Sequence, residues 1–258
     1  AEAQTTTGDR LPPSIAALTS MRHLATPITN EERIARLEKA RRLMAGVKLD
    51  AVLLTGGTSL TYFTGLRWGT SERLMALVLP VRGEPFVVCP AFEVDRLSEQ
   101  LPQSPLRHVD IRAWQENESP YQRVGQALRE RGIASGRLGI EETVRFVFAD
   151  GIAKANPSLT LTSATPVTAS CRMIKDAHEI ELLRVACRAT LACYGALFGA
   201  LQPGMTEATA RSLVAAGYDR LGFRGSVSVQ VDKYTALPHG SAEPQTLHTD
   251  SIVMVDDG

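Results

Sequence analysis

Between residues 50 and 162 the chain alternates short apolar runs with amphipathic stretches, and this alternation constrains the fold more than any other feature. Runs at 50–55, 74–79, 85–89, 107–111, 137–141 and 159–162 have the length of strands. Turn formers such as Gly56-Gly57 and Arg82-Gly83 bound them. Residues 91–100, 120–130 and 144–155 carry helical periodicity, with Val124, Ala127 and Leu128 turned inward in the second of these. Strands interleaved with helices favour an α/β layered domain over an all-β one. A first helix opens at Thr29-Asn30-Glu31-Glu32, where a hydroxyl cap and first-turn glutamates satisfy free backbone donors. Ile34, Leu37, Met44 and Val47 form its expected apolar face and Gly46 its end. This domain is expected to span residues 29–165.

Residues 1–28 lack periodicity, contain Thr5-Thr6-Thr7 and Pro12-Pro13, and read as a partly ordered arm. A second segment, 166–258, opens a long helix at Asp176, with Glu179 completing the cap. Ile180, Leu183, Leu191, Tyr194, Leu197 and Leu201 recur along it with a helical period. Pro203-Gly204 stops it, and Thr206 caps a further helix that runs to about Leu221. Residues 226–231 and 252–255 are strand-like, joined irregularly around Pro238-His239-Gly240. Ile252-Val253-Met254-Val255 is apolar without a break, the kind of strand that needs neighbours on both faces. Asp256-Asp257-Gly258 follows at once. A buried strand and an acidic turn make a poor end to a domain, so a fragment is expected.

The 258 residues suffice for one or two domains with a real core. Lysine plus arginine (28) balances aspartate plus glutamate (28), which argues against a nucleic-acid module or a membrane-surface binder. At 44% hydrophobic residues, disorder is excluded, and the longest apolar run, residues 74–81, is broken by Pro80 and too short to cross a bilayer. Cys89, Cys171, Cys187 and Cys193 have neither zinc-finger nor Cys-x-x-Cys spacing and read as reduced, mostly buried thiols. A cytoplasmic location is expected, although the small-x-small start Ala1-Glu2-Ala3 leaves export open.

For chemistry, one carboxylate at the end of the last strand, with His239 upstream, could begin a metal or acid/base site. Consecutive strand residues point to opposite faces, so Asp256 and Asp257 do not share a pocket unless the strand has ended. Glu141-Glu142 reads as a solvated strand end, Arg41-Arg42 as a solvated helix face, and His178 as an exposed first-turn residue. The chain has no Gly-x-Ser-x-Gly elbow, no His-Glu-x-x-His and no phosphate loop.

Several stretches together resemble one family. Met173-Ile174-Lys175-Asp176-Ala177-His178-Glu179-Ile180 looks like the opening of the catalytic domain of the Xaa-Pro peptidases, the pita-bread metallopeptidases that include aminopeptidase P and prolidase. Pro203-Gly204-Met205-Thr206-Glu207, Leu237-Pro238-His239-Gly240 and Ile252-Val253-Met254-Val255-Asp256-Asp257-Gly258 resemble later landmarks of that domain. Tyr62-Phe63-Thr64-Gly65 and Ser71-Glu72-Arg73 resemble its creatinase-like N-terminal partner. The resemblance implies a mixed-sheet α/β domain with flanking helices, then the first part of an α+β pita-bread domain. It implies Asp256 as a metal ligand and His239 as a catalytic hydrogen-bond donor to substrate, seventeen residues apart as the family's layout requires. Two divalent cations, manganese, cobalt or zinc, would activate a bridging water against proline-containing peptides. A homodimer is implied as well.

Of the family's further ligands (a second aspartate, a histidine and two glutamates) none follows Asp256 in this chain. Two rivals remain: a metal-free relative acting on a small amide or amidine, as creatinase does, and a non-catalytic protein-binding module on the same scaffold. The chain purified alone, stripped with chelator and given manganese, is expected to leave an Xaa-Pro peptide intact. Hydrolysis by that preparation would overturn the fragment reading.

Overall fold

Three neighbouring strands carry no exposed residue, which requires cover on both faces of their sheet. The computed structural model describes residues 11–257. The expectations for Ala1-Glu2-Ala3, Thr5-Thr6-Thr7 and Gly258 lie outside the described residues. In chain order the elements are α1 (Pro13–Ala16), α2 (Asn30–Gly46), β1 (Ala51–Thr55), α3 (Thr58–Thr64), β2 (Ala76–Pro80), β3 (Phe86–Pro90), α4 (Val94–Gln100), β4 (Asp110–Trp114) and α5 (Pro120–Glu130). There follow β5 (Gly136–Ile140), α6 (Phe146–Ala155), β6 (Leu159–Ser163), α7 (Thr165–Met173), α8 (Ala177–Phe198), α9 (Glu207–Leu221), β7 (Val227–Val231) and β8 (Val253–Asp257). The chain divides into two units, one of Ile28–Lys175 and one that joins the first residues through Pro27 to those from Asp176 onward.

The unit Ile28–Lys175 is built on a six-stranded mixed sheet in the order β4-β3-β2-β1-β5-β6. β1 pairs antiparallel with β2 and parallel with β5. Side-chain alternation sends Val52, Leu54, Leu77, Leu79 and Val87 to one face, where they meet Leu37, Ala40 and Met44 of α2 and Val167 of α7. Ala51, Leu53, Val78, Phe86 and Val88 go to the other, against Val124, Ala127 and Leu128 of α5 and Ile152 of α6. The α/β layered expectation is therefore met, with α5 at the expected residues. It starts there because Ser119 accepts a hydrogen bond from the Gln122 N–H and Pro120 occupies the first turn, where no donor is needed.

Several expectations shift. Thr29 does form a capping box with Glu32, but Ile34 and Val47 are exposed, and the inward face of α2 is Leu37, Ala40 and Met44. The strand expected at 107–111 lies at β4, three residues later, because its register is set by pairing with β3, from Phe86↔Asp110 to Pro90↔Trp114. The buried Trp114 indole donates to the Leu74 carbonyl at 3.0 Å, holding that register. The unit ends at Lys175 rather than near residue 165, since α7 packs back on α2 and the Lys39 ammonium donates to the Cys171 carbonyl. Helix α3 was not expected. It fits between Gly57 and Gly65, the latter left-handed at φ 77°, and buries Leu60 and Phe63.

Glu141 corrects the solvated reading of its pair. It is only 4% exposed at the end of β5, and its Oε2 has no hydrogen-bond partner among the described residues. Burial raises its carboxyl pKa above the ordinary value, and the Glu142 charge adds to this. Hydrogen bonds with Ser59 and Thr143 and the nearby Arg172 oppose it. Glu142 instead accepts from Thr165 at 3.1 Å.

In the other unit, residues 11–27 carry the short helix α1. Ile15 of α1 is fully buried with Ala196 and Ala200, and Ser14 Oγ donates to the Ala196 carbonyl at 2.7 Å. The capping box of Asp176 with Glu179 opens α8 as expected. The face that α8 buries is Val185, Ala189, Cys193, Ala196 and Leu197, whereas Ile180, Leu183 and Leu191 are exposed. Small residues win that face because α9 comes close: a Cβ on Gly217 would lie 2.7 Å from Cys193 Sγ. Among the described residues no helix is long and apolar enough to cross a membrane.

A group whose pKa rises on folding favours the folded state at low pH, and that contribution is lost as pH climbs through the raised value. Glu141→Gln is therefore expected to raise the thermal midpoint at about pH 7, with the gain shrinking toward about pH 4. A gain that does not vary with pH, or a loss at neutral pH, would contradict this.

Candidate active site

Strands β7 and β8 pair antiparallel, from Val227↔Asp257 to Val231↔Val253. Alternation puts Val227, Val229, Val231, Val253, Val255 and Asp257 on the face toward α8 and α9, where Val229 is buried with Leu197, Val214 and Leu221. Ser228, Gln230, Met254 and Asp256 take the outer face, and Asp256 is exposed there. The strand continues through both aspartates, so the two carboxylates point to opposite sides.

His239 is exposed on the connection after a 3-10 turn, Asp232–Ala236. Its neighbour Gly240 has φ 80°, and a Cβ there would stand 2.6 Å from Gln230 Nε2. The His-Gly tip thus lies against the outer face that also carries Asp256. The fit depends on glycine twice, for the left-handed backbone and for the close approach.

Two side chains hold this connection. Gln245, buried, accepts from the Val231 N–H at 2.7 Å and donates to Gln230 Oε1 at 3.2 Å. Its backbone is tied to the start of α9, since the Glu207 N–H donates to its carbonyl and its own N–H donates to Glu207 Oε2. Asp232, at φ 52°, accepts from the Ile252 N–H at 2.9 Å and from Ser251 Oγ at 2.9 Å, which fixes where β8 begins. The sequence reading missed both. An Asp adopting a turn after a strand was a usable signal, whereas nothing marked the glutamines.

On the inner side, Asp257 Oδ2 accepts hydrogen bonds from the Tyr218 hydroxyl and, at 3.3 Å, from Thr190 Oγ1. His178, read as an exposed helix residue, is half-buried with Nε2 3.1 Å from the Thr26 carbonyl. Cys89, Cys171 and Cys193 are buried free thiols as expected, and Cys187 is exposed.

A divalent cation bound through oxygen needs several donors at once. Among the described residues no group of three or more His, Cys, Asp or Glu could hold one. Asp256 has the right chemistry and stands as a single donor among the described residues.

An α/β domain on a mixed sheet, followed by two helices and a ribbon ending in Asp-Asp, defines a class: a creatinase-type N-terminal domain joined to part of a pita-bread domain. The chain belongs to the corresponding family. Residues 36–174 match the Creatinase/Prolidase N-terminal domain and residues 181–258 match Metallopeptidase family M24. It is similar to the probable dipeptidase PepE of Mycobacterium tuberculosis, 32% identical over 230 residues, covering 86% of this chain and 58% of that protein. The putative dipeptidase YkvY of Bacillus subtilis is 30% identical over 203 residues, covering 76% of this chain and 54% of the relative. Among solved structures, dipeptidase PepE from Mycobacterium ulcerans superposes with a TM-score of 0.80 at 30% identity, over 90% of this chain and 62% of that one. The recombinant prolidase from Thermococcus sibiricus, at 21% identity and a TM-score of 0.75, shares the fold. The chain thus spans between 54% and 62% of these relatives' lengths.

Replacing Gly240 by Ala is expected to cost about 1 kcal/mol and to raise amide exchange over residues 237–240, as strain at positive φ and the Gln230 contact both resist a Cβ. Gly46→Ala, in a helix with open space around it, serves as the neutral comparison. Equal behaviour of the two variants in hydrogen exchange would show that the tip is not held against Gln230.

Proposed function

We propose that the complete protein is a metal-dependent dipeptidase that cleaves Xaa-Pro bonds, with Asp256 as one metal ligand and His239 as a hydrogen-bond donor to the substrate. The observation that supports this best is the shared outer face of the β7–β8 ribbon: an exposed carboxylate at one strand end and the His-Gly tip packed against Gln230. Family membership supports the peptidase chemistry, and the dipeptidase names of PepE and YkvY favour dipeptides over longer chains. The cation expected is manganese, with cobalt or zinc as alternatives, because a carboxylate-rich nest suits hard or borderline ions. A homodimer in the cytoplasm completes the proposal.

In this reading Asp256 supplies an oxygen donor of the kind hard and borderline cations take. When bound, the metal supplies an activated water and a polarising charge. The His239 imidazole donates to the oxygen on which charge develops as the amide carbon becomes tetrahedral. The amide before proline carries no N–H, so the substrate is selected by a pocket for the ring.

The test is hydrolysis of Xaa-Pro dipeptides, non-proline dipeptides and Xaa-Pro tripeptides by the complete protein with manganese. Xaa-Pro dipeptides are expected to be cleaved fastest, Asp256→Ala to abolish turnover, and His239→Ala to lower kcat about 100- to 1,000-fold. Faster cleavage of non-proline dipeptides would refute the specificity, and full activity of Asp256→Ala would refute the ligand assignment.

A further inference from the structure

Position 257 faces the core, where the strand pattern calls for an apolar side chain. Val253 and Val255, on the same face of β8, pack against the α8–α9 cluster. A carboxylate in that row loses water and must find replacement donors. Asp257 finds them in hydroxyls from two helices: Tyr218 on α9 and Thr190 on α8 both donate to Oδ2, and the two hydroxyls lie 3.0 Å from each other. Tyr194 of α8 also hydrogen-bonds the carboxylate. Burial, then the Asp257 charge, push that phenol up to about 12, so it stays a donor. Tyr218 is pushed upward as well, by burial and by its bond to Asp257.

This slot resolves an ambiguity in the sequence. Ile252-Val253-Met254-Val255 is apolar at every position, so neither face of β8 is marked as the inner one. Asp256 and Asp257 are chemically identical. A slip of one residue would turn every side chain over, burying Asp256 and presenting Asp257 in its place. Asp232 pins the start of β8 through the Ile252 N–H and Ser251, and the slot around Asp257 holds its other end.

We propose that Asp257 is a positioning residue: its carboxylate, held by Tyr218 and Thr190, locks the register of β8 so that Asp256 alone faces outward beside the His239 tip. The inference rests on the reading of Asp256 as a metal ligand. It assigns the middle residue of the Asp-Asp-Gly sequence a task distinct from ligation.

The experiment titrates Mn²⁺ into the metal-free complete protein, reads free Mn²⁺ by electron paramagnetic resonance, and follows the metal-free fold by circular dichroism. Asp257→Leu is expected to weaken Mn²⁺ binding about tenfold or more while the metal-free fold is kept. Asp257→Asn still accepts from both hydroxyls and is expected to stay within about threefold of wild type. The double variant Thr190→Val, Tyr218→Phe keeps the carboxylate but removes two of its three donors, leaving Tyr194, and is expected to weaken binding in the same direction as Asp257→Leu. It decides the matter if Asp257→Leu fails to fold. Wild-type affinity in Asp257→Leu or in the double variant overturns the proposal, as does an Asp257→Asn no better than Asp257→Leu. Asp256→Asn separates the two layers of argument. If it binds Mn²⁺ normally, the ligand assignment itself is wrong. If it binds weakly while Asp257→Leu binds normally, only the register lock is wrong.

Discussion

The pairing of β8 with β7 determines which of two adjacent carboxylates is offered outward and which is turned into the protein. Everything proposed about chemistry depends on that choice. The ribbon is short, and its inner valines alone do not specify it. Its register draws instead on polar contacts at both ends: Asp232 with the Ile252 N–H and Ser251 at one end, and Asp257 with the helix hydroxyls at the other. Gln245 then ties the returning connection to the start of α9 and to Gln230, so the His239 tip rests on a braced surface.

The unit Ile28–Lys175 is held differently. Its central strands bury both faces between helix layers, and burial of apolar surface supplies most of its stability. Against that background Glu141 is an anomaly. An ionisable group with one oxygen lacking a partner among the described residues opposes folding at neutral pH, and the structure offsets this only in part through Ser59, Thr143 and Arg172. The network spans β5, α3 and α7, three elements that follow one another in space but not in sequence.

Much of the fold could be read from the chain because its local signals agree with its tertiary packing. Ser119-Pro120 starts α5, Thr206 and Gly222 bracket α9, and the apolar runs of β1, β2 and β3 are strands at nearly the expected residues. The failures have physical causes. Periodicity marks apolar residues but not which are covered, so Ile180, Leu183 and Leu191 were taken for the inner face of α8. Close approach of α9 selects Ala189 and Cys193 instead. Glu141 looked like surface because its cover comes from α3, a helix that has no apolar period long enough to register. Of the candidate site, Asp256 and His239 were legible as a strand end and a loop motif. The slot around Asp257 was not, since it is made by Thr190 and Tyr218, residues distant in sequence that folding alone brings together.

Residues 11–27 belong physically with the helices beyond Asp176. Ser14 and its acceptor Ala196 are 182 positions apart. During synthesis at about 5–20 residues per second, the leading segment therefore waits roughly 10–40 s for the surface it will cover. The α/β unit between them can complete itself in that interval. Ile15, meanwhile, stays uncovered on the nascent chain, where a chaperone would find it.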